Sequence, residues 1–120
     1  MEDSVINLSW VKCTGEGWCP LLTVNLEKVT AEGVYIIWHG GNPSRIVRVG
    51  QGIIADRLAD HRDDPAILAH KSKGTLYVTW AALPAHQRDA VEAHLTQTWI
   101  PLVGDRFPDA LPLTVNSPWS

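Results

Sequence analysis

The chain has only two cysteines, Cys13 and Cys19, around the short segment TGEGW. No stretch approaches the roughly 20 consecutive apolar residues that a membrane-spanning helix needs. The first ten residues, MEDSVINLSW, are acidic where an export signal would be basic. These absences predict a cytoplasmic protein with no membrane partner, in which a reduced cysteine pair is favoured over a disulfide. A zinc site would need more ligands than the pair supplies, and His39, the nearest histidine, lies 20 residues on from Cys19. Positive charge is not in excess either. The formal net charge is −3 at pH 7, so no global basic field draws the protein onto nucleic acid. There is no internal repeat and no low-complexity tract.

What is present is enough for one domain. The 120 residues are 45% hydrophobic and include six tryptophans, sufficient to close a single core. Six of the ten Lys and Arg residues (Arg45, Arg48, Arg57, Arg62, Lys71 and Lys73) fall between 45 and 73, interleaved with Asp56, Asp60, Asp63 and Asp64. Any basic surface there has to be assembled by folding.

The unusual residues lie between Gly33 and His61. Two β-branched apolar runs, 33–38 and 46–49, flank HGGNPSR, whose Gly-Gly and Asn-Pro steps favour a turn, so a hairpin is predicted. Gly50-Gln51-Gly52 follows, with glycines that would let backbone approach a ligand closely. The segment IIADRLADHR then has helical spacing, with Ile54 and Leu58 on an apolar side and Arg57 and His61 one turn apart on another. DDPAILAHKSKG reads as a loop with one helical turn. TLYVTW (75–80) alternates as a strand, Leu76, Val78 and Trp80 sharing one face. A second helix opens at Pro84 and buries Val91, Leu95 and Trp99. At the ends, 5–11 and 21–26 read as strands of an N-terminal hairpin or an edge addition. Residues from 100 on read as an extended tail packed across the sheet and fraying at its end. The expected fold is α+β: a three-stranded central sheet with a β-β-α-β-α core, flanked by helices, plus the N-terminal hairpin. The expected divisions are 1–32, 33–105 and 106–120.

Gly33-Val34-Tyr35 on the first strand, Arg48-Val49-Gly50 closing the second, Arg57 and His61 on the next helix, and Glu92 on the last occur in an order that resembles the GIY-YIG nuclease family. That family includes homing, excision-repair and restriction endonucleases. The resemblance covers about 33 to 105. It departs from the family in two places: Arg48 stands where the second motif has tyrosine, and the late asparagine has no counterpart, Gly104 or Asp105 lying near its position. The resemblance implies an endonuclease hydrolysing phosphodiester bonds, with DNA the expected substrate and one Mg²⁺ (or Mn²⁺) ion as cofactor. It implies a catalytic set of Tyr35 as proton relay, Arg57 on the phosphate charge, His61 hydrogen-bonded to the tyrosine or the phosphate, and Glu92 as metal ligand. Arg48, Gly50, Gly52, Lys71 and Lys73 are the expected substrate contacts. Arg48 keeps a donor but accepts no proton.

Each residue also has a plain reading. Tyr35 fits a half-buried strand, Arg57 a solvated helix face, His61 a helix C-terminus, and Glu92 a surface pair with Arg88 worth about 0.3–0.5 kcal/mol. The alternative function is therefore an inactive GIY-YIG-like module that binds nucleic acid or a protein. The acidic balance adds the expectation of a homodimer or a partner protein to hold the substrate.

Overall fold

The computed structural model describes residues 5–13, 15, 17–104 and 110–119. Asp105, and with it the expected boundary between domain and tail, lies outside them. Strands β1 (Cys19–Pro20), β2 (Glu32–His39), β3 (Arg45–Ile53) and β4 (Leu76–Ala82) form one antiparallel sheet in the order β1-β4-β2-β3. Helix α1 (Ile54–Arg62) follows β3 directly, α2 (Pro65–Leu68) comes next, and α3 (Ala85–Thr98) follows β4. The architecture is thus α+β, with a four-stranded antiparallel sheet and three helices.

β2 is central, and every residue from Gly33 to His39 is buried, which is why its sequence is a continuous apolar run rather than an alternation. Its two faces feed two cores. Tyr35 and Ile37 pack with Val78, Trp80, Ile54, Leu58 and Ile67 on the side of α1 and α2. Val34, Ile36 and Trp38 pack with Val91 and Leu95 of α3. Each fully buried aliphatic side chain contributes about 1.5–3 kcal/mol, so the two layers hold α1 and α3 firmly against opposite faces.

The register of β3 changes once. Ile37 faces Arg48 and Trp38 faces Ile46, leaving Val47 as the extra residue of a bulge. Val47 packs in the α1 core, and Arg48, opposite Ile37, points to that same side. The bulge sets Val47 and Arg48 as neighbours on the α1 side, between Ile46 and Val49 on the α3 side.

The N-terminal region differs from the expected hairpin. Residues 5–11 form no ladder: Ile6 makes an isolated parallel bridge with Val115, the Leu8 backbone and the Trp10 indole N–H bond to Asn116, and Val11 N–H donates to the Trp80 carbonyl at 3.0 Å. Residues 21–26 form a turn leading into a 3-10 helix at Leu26–Lys28. Pro20 explains this in part: it has no N–H, and the two-residue edge strand ends with it. The Arg62 guanidinium then caps the loop by donating to the carbonyls of Leu21, at 2.8 Å, and Val24.

The cysteine expectation is also corrected. Cys13 and Cys19 form a disulfide across Cα atoms 5.0 Å apart. The Cys13 N–H to Gly17 carbonyl bond, at 2.9 Å, folds the intervening turn so that the two meet at a spacing a disulfide accepts. Reasoning from cellular compartment carried no information about that turn.

The polar segment after α1 is more regular than a loop with one turn, since α2 runs straight into a 3-10 helix at Ala69–Lys73. At the far end of the chain, Leu113 N–H bonds the Ala90 carbonyl at 2.9 Å, and Trp119 packs against Trp38 and Trp99 instead of fraying. No helix among the described residues is long and apolar enough to cross a membrane.

Candidate functional site

A cleft of about 220 Å³ opens beside β3, and Tyr35, Arg48, Arg57, His61 and Glu92 all line it. They arrive from four elements. Tyr35 comes from the central strand and Arg48 from the bulged edge strand. Arg57 and His61 come from one face of α1, and Glu92 from α3.

Tyr35 is almost fully buried, and its hydroxyl lies 2.5 Å from His61 Nε2. Burial pushes the phenol up to about 12, although Arg48 and Arg57 pull the other way. Burial, then the positive charge of Arg48, holds His61 below the ordinary histidine value of 6.5. At neutral pH the phenol is therefore protonated and the imidazole neutral. In the tautomer with the imidazole proton on Nδ1, the hydroxyl donates to Nε2. Such a pair can take a proton from a group on Tyr35 and pass the phenolic proton to His61.

Glu92 is also buried, and burial raises its carboxyl above the ordinary 4.5. Gln51 Nε2 donates to Glu92 Oε1 at 3.1 Å and to Asp89 Oδ1 at 2.6 Å, bracing the carboxylate from β3. Arg57 is exposed, but its Nε donates to the Gln51 carbonyl at 3.2 Å, which steers the guanidinium along the rim. Arg48 Nε is buried with no hydrogen-bond partner among the described residues. An unsatisfied buried donor costs about 1–3 kcal/mol, and an anionic oxygen in the cleft would relieve it.

The two glycines serve the protein's own side chains. A Cβ on Gly50 would lie 2.2 Å from the Tyr35 hydroxyl, so the ring occupies the space that glycine leaves. Gly52 has φ +126°, and a Cβ there would lie 2.9 Å from Arg57 Nε. Lys71 and Lys73 are not brought to the cleft. They line a separate groove with Leu22 and Thr23, where Lys73 Nζ lies 3.2 Å from His70 Nδ1.

Among the described residues no three His, Cys, Asp or Glu side chains converge as a metal-binding group. A hard divalent ion does not require one. Magnesium is commonly held by one or two carboxylates with water filling the other positions. Glu92 is a carboxylate of that kind, in a cleft that Asp60 also lines, and the donor set fits such an ion.

Two cleft residues, Gln51 and Asp60, were not singled out from the sequence. Asp60 carries a readable signal, three residues after Arg57 on the same helix face. Gln51 carries none, because its bond to Glu92 spans 41 positions of sequence. Compared with protein-family models, with curated proteins and with solved structures, the chain matches none.

Proposed function

We propose that the cleft is the active site of a GIY-YIG-like endonuclease that hydrolyses phosphodiester bonds of nucleic acid, DNA first among them. The observation that carries this reading is the Tyr35–His61 hydrogen bond at 2.5 Å, set in one cleft with two arginines and a buried carboxylate. Water attacking phosphorus gives its proton to the Tyr35 oxygen as the phenolic proton moves to His61 Nε2. Arg57 and Arg48 meet the non-bridging oxygens, where negative charge grows in the transition state. Glu92 would hold Mg²⁺ (or Mn²⁺), which when bound supplies charge stabilisation at the leaving oxygen. Buried Arg48 Nε also favours a second reading, a module on the same scaffold that binds phosphate without cutting.

Plasmid nicking by the purified protein with Mg²⁺ separates the two. Arg57→Ala is expected to slow nicking by about 10²–10³-fold, the usual cost of losing one preorganised donor to a developing oxyanion. Salt-sensitive binding with no nicking by the unmodified protein would select the binding module.

The proton relay also fixes the pH profile. His61 must be neutral to accept, and its value lies below 6.5, while Glu92 must be ionised and its value lies above 4.5. The single-turnover rate should therefore fall as pH drops, through the range in which His61 gains a proton below 6.5 and the Glu92 carboxylate is neutralised. Tyr35, at about 12, introduces no alkaline limb in the working range. A rate with no fall on the acid side would count against His61 as the acceptor.

A further inference from the structure

The largest cavity described, about 450 Å³, is not the cleft. It lies where the β2–β3 turn meets the end of α3, and its walls include Trp38, Trp99, Trp119, Arg45, Gln97 and Ser44. Its size falls within the range of small-ligand sites. The indoles are set as a corner: Trp119 is perpendicular to Trp38 at 89° and to Trp99 at 85°, with ring centroids 5.0 and 5.4 Å apart. A flat ring laid on Trp119 would therefore meet the neighbouring indoles in the edge-to-face geometry that aromatic pairs favour. Trp119 is 44% exposed, so its ring is accessible.

The charge of the lining selects among flat ligands. Among the described residues no Asp or Glu lines the cavity, and Arg45, which does, is exposed. A cationic guest of the aromatic-cage type would meet an arginine and no counter-charge. A planar group with an anionic neighbour finds a stacking surface, the Gln97 amide and a guanidinium. A nucleotide within a strand has that combination.

β3 links this cavity to the cleft. Ile46 lines the cavity on the α3 face and Gly50 the cleft on the α1 face, four residues or about 13 Å apart along this edge strand, around whose open side a nucleic-acid strand would pass. That separation corresponds to a few nucleotides of stacked strand at about 3.4 Å each.

We propose that the tryptophan cavity receives an unpaired base of the nucleic-acid substrate, stacked on Trp119, with Arg45 meeting the adjoining phosphate. The inference rests on the nucleic-acid reading of the cleft and adds to it a preference for substrate with single-stranded or splayed bases.

The test measures Kd, by fluorescence anisotropy, for a labelled oligothymidylate and for an abasic oligomer of equal length and charge. Trp119→Ala should weaken oligothymidylate binding by about tenfold and leave abasic binding unchanged, since base stacking on an aromatic side chain is lost and no phosphate contact is. Trp119→Phe should restore most of the loss. Arg45→Ala should weaken both probes alike. Equal loss for both probes in Trp119→Ala, or no loss for either, overturns the proposal, as does a failure of the unmodified protein to prefer the base-bearing strand. Nicking assayed on the same preparations keeps the two readings apart. Base-dependent loss without any nicking removes the nuclease and keeps the cavity, and nicking without base-dependent loss does the reverse.

Discussion

Glu92→Gln is expected to stop cleavage while making the fold more stable at neutral pH. The carboxyl is buried between α3 and the edge of β3, and burial raises its folded value above the ordinary 4.5. A raised value means that the folded state binds the proton more tightly than the unfolded chain does. Stability is then fully present below 4.5 and falls as pH rises through the folded value, because the charged form is held away from water. Glutamine removes that cost and keeps an acceptor for Gln51. Tm of Glu92→Gln should exceed that of the unmodified protein at neutral pH, and the gap should close as pH falls toward 4.5. If the proposed nuclease reading holds, cleavage should drop by about 10²–10³-fold, because that reading assigns the metal to this carboxylate. A lower Tm at neutral pH, or activity within a few-fold of the original, would show that Glu92 is a packing residue. Stability given up locally for a group that must be charged is a usual signature of a working site.

Gly50→Ala should damage both fold and activity. The added methyl would lie 2.2 Å from the Tyr35 hydroxyl and 2.4 Å from its ring carbon Cζ. Tyr35 is 2% exposed and has nowhere to retreat between the sheet and α1. Overpacking of this sort costs about 1–3 kcal/mol, and any movement that relieves it lengthens the bond to His61. Urea denaturation should show that loss, and nicking should fall in parallel with the fraction of molecules retaining the Tyr35–His61 bond. Gly52→Ala is the useful contrast. Its nearest clash is with the end of the exposed Arg57 side chain, so its cost comes mainly from the φ of +126°. If Gly50→Ala is as stable and active as the original protein, the Tyr35 ring does not lie across Gly50 in solution.

Much of the layout was legible because the segments that build it have strong periods. The continuous apolar run of β2, the alternation of β4 and the spacing of Val91 and Leu95 in α3 each declare their burial without tertiary information. The meeting of Tyr35, Arg57, His61 and Glu92 was expected from their order along a known motif, and the cleft contains all four. Segments governed by single contacts were not legible. The run 5–11 has strand composition, yet it is held by the Ile6–Val115 bridge and the Val11 bond, both to partners far away in sequence. Lys71 and Lys73 were grouped with the site because charge clusters there in sequence. The 3-10 helix turns them into another groove. The tryptophan corner was equally hidden, since Trp38, Trp99 and Trp119 share no period and meet only when the tail folds back.

The bulge at Val47 gives this edge strand one residue of slack, which fills the α1 core and leaves the side taken by Arg48 unchanged. Removing Val47 would restore plain alternation with Arg48 still opposite Ile37 and Ile46 still opposite Trp38, so the guanidinium keeps its side of the sheet and what is lost is the Val47 packing in the α1 core. A chain lacking Val47 should therefore keep Arg48 in the cleft and lose about 1.5–3 kcal/mol, the contribution of one buried aliphatic side chain, a difference that urea denaturation measures.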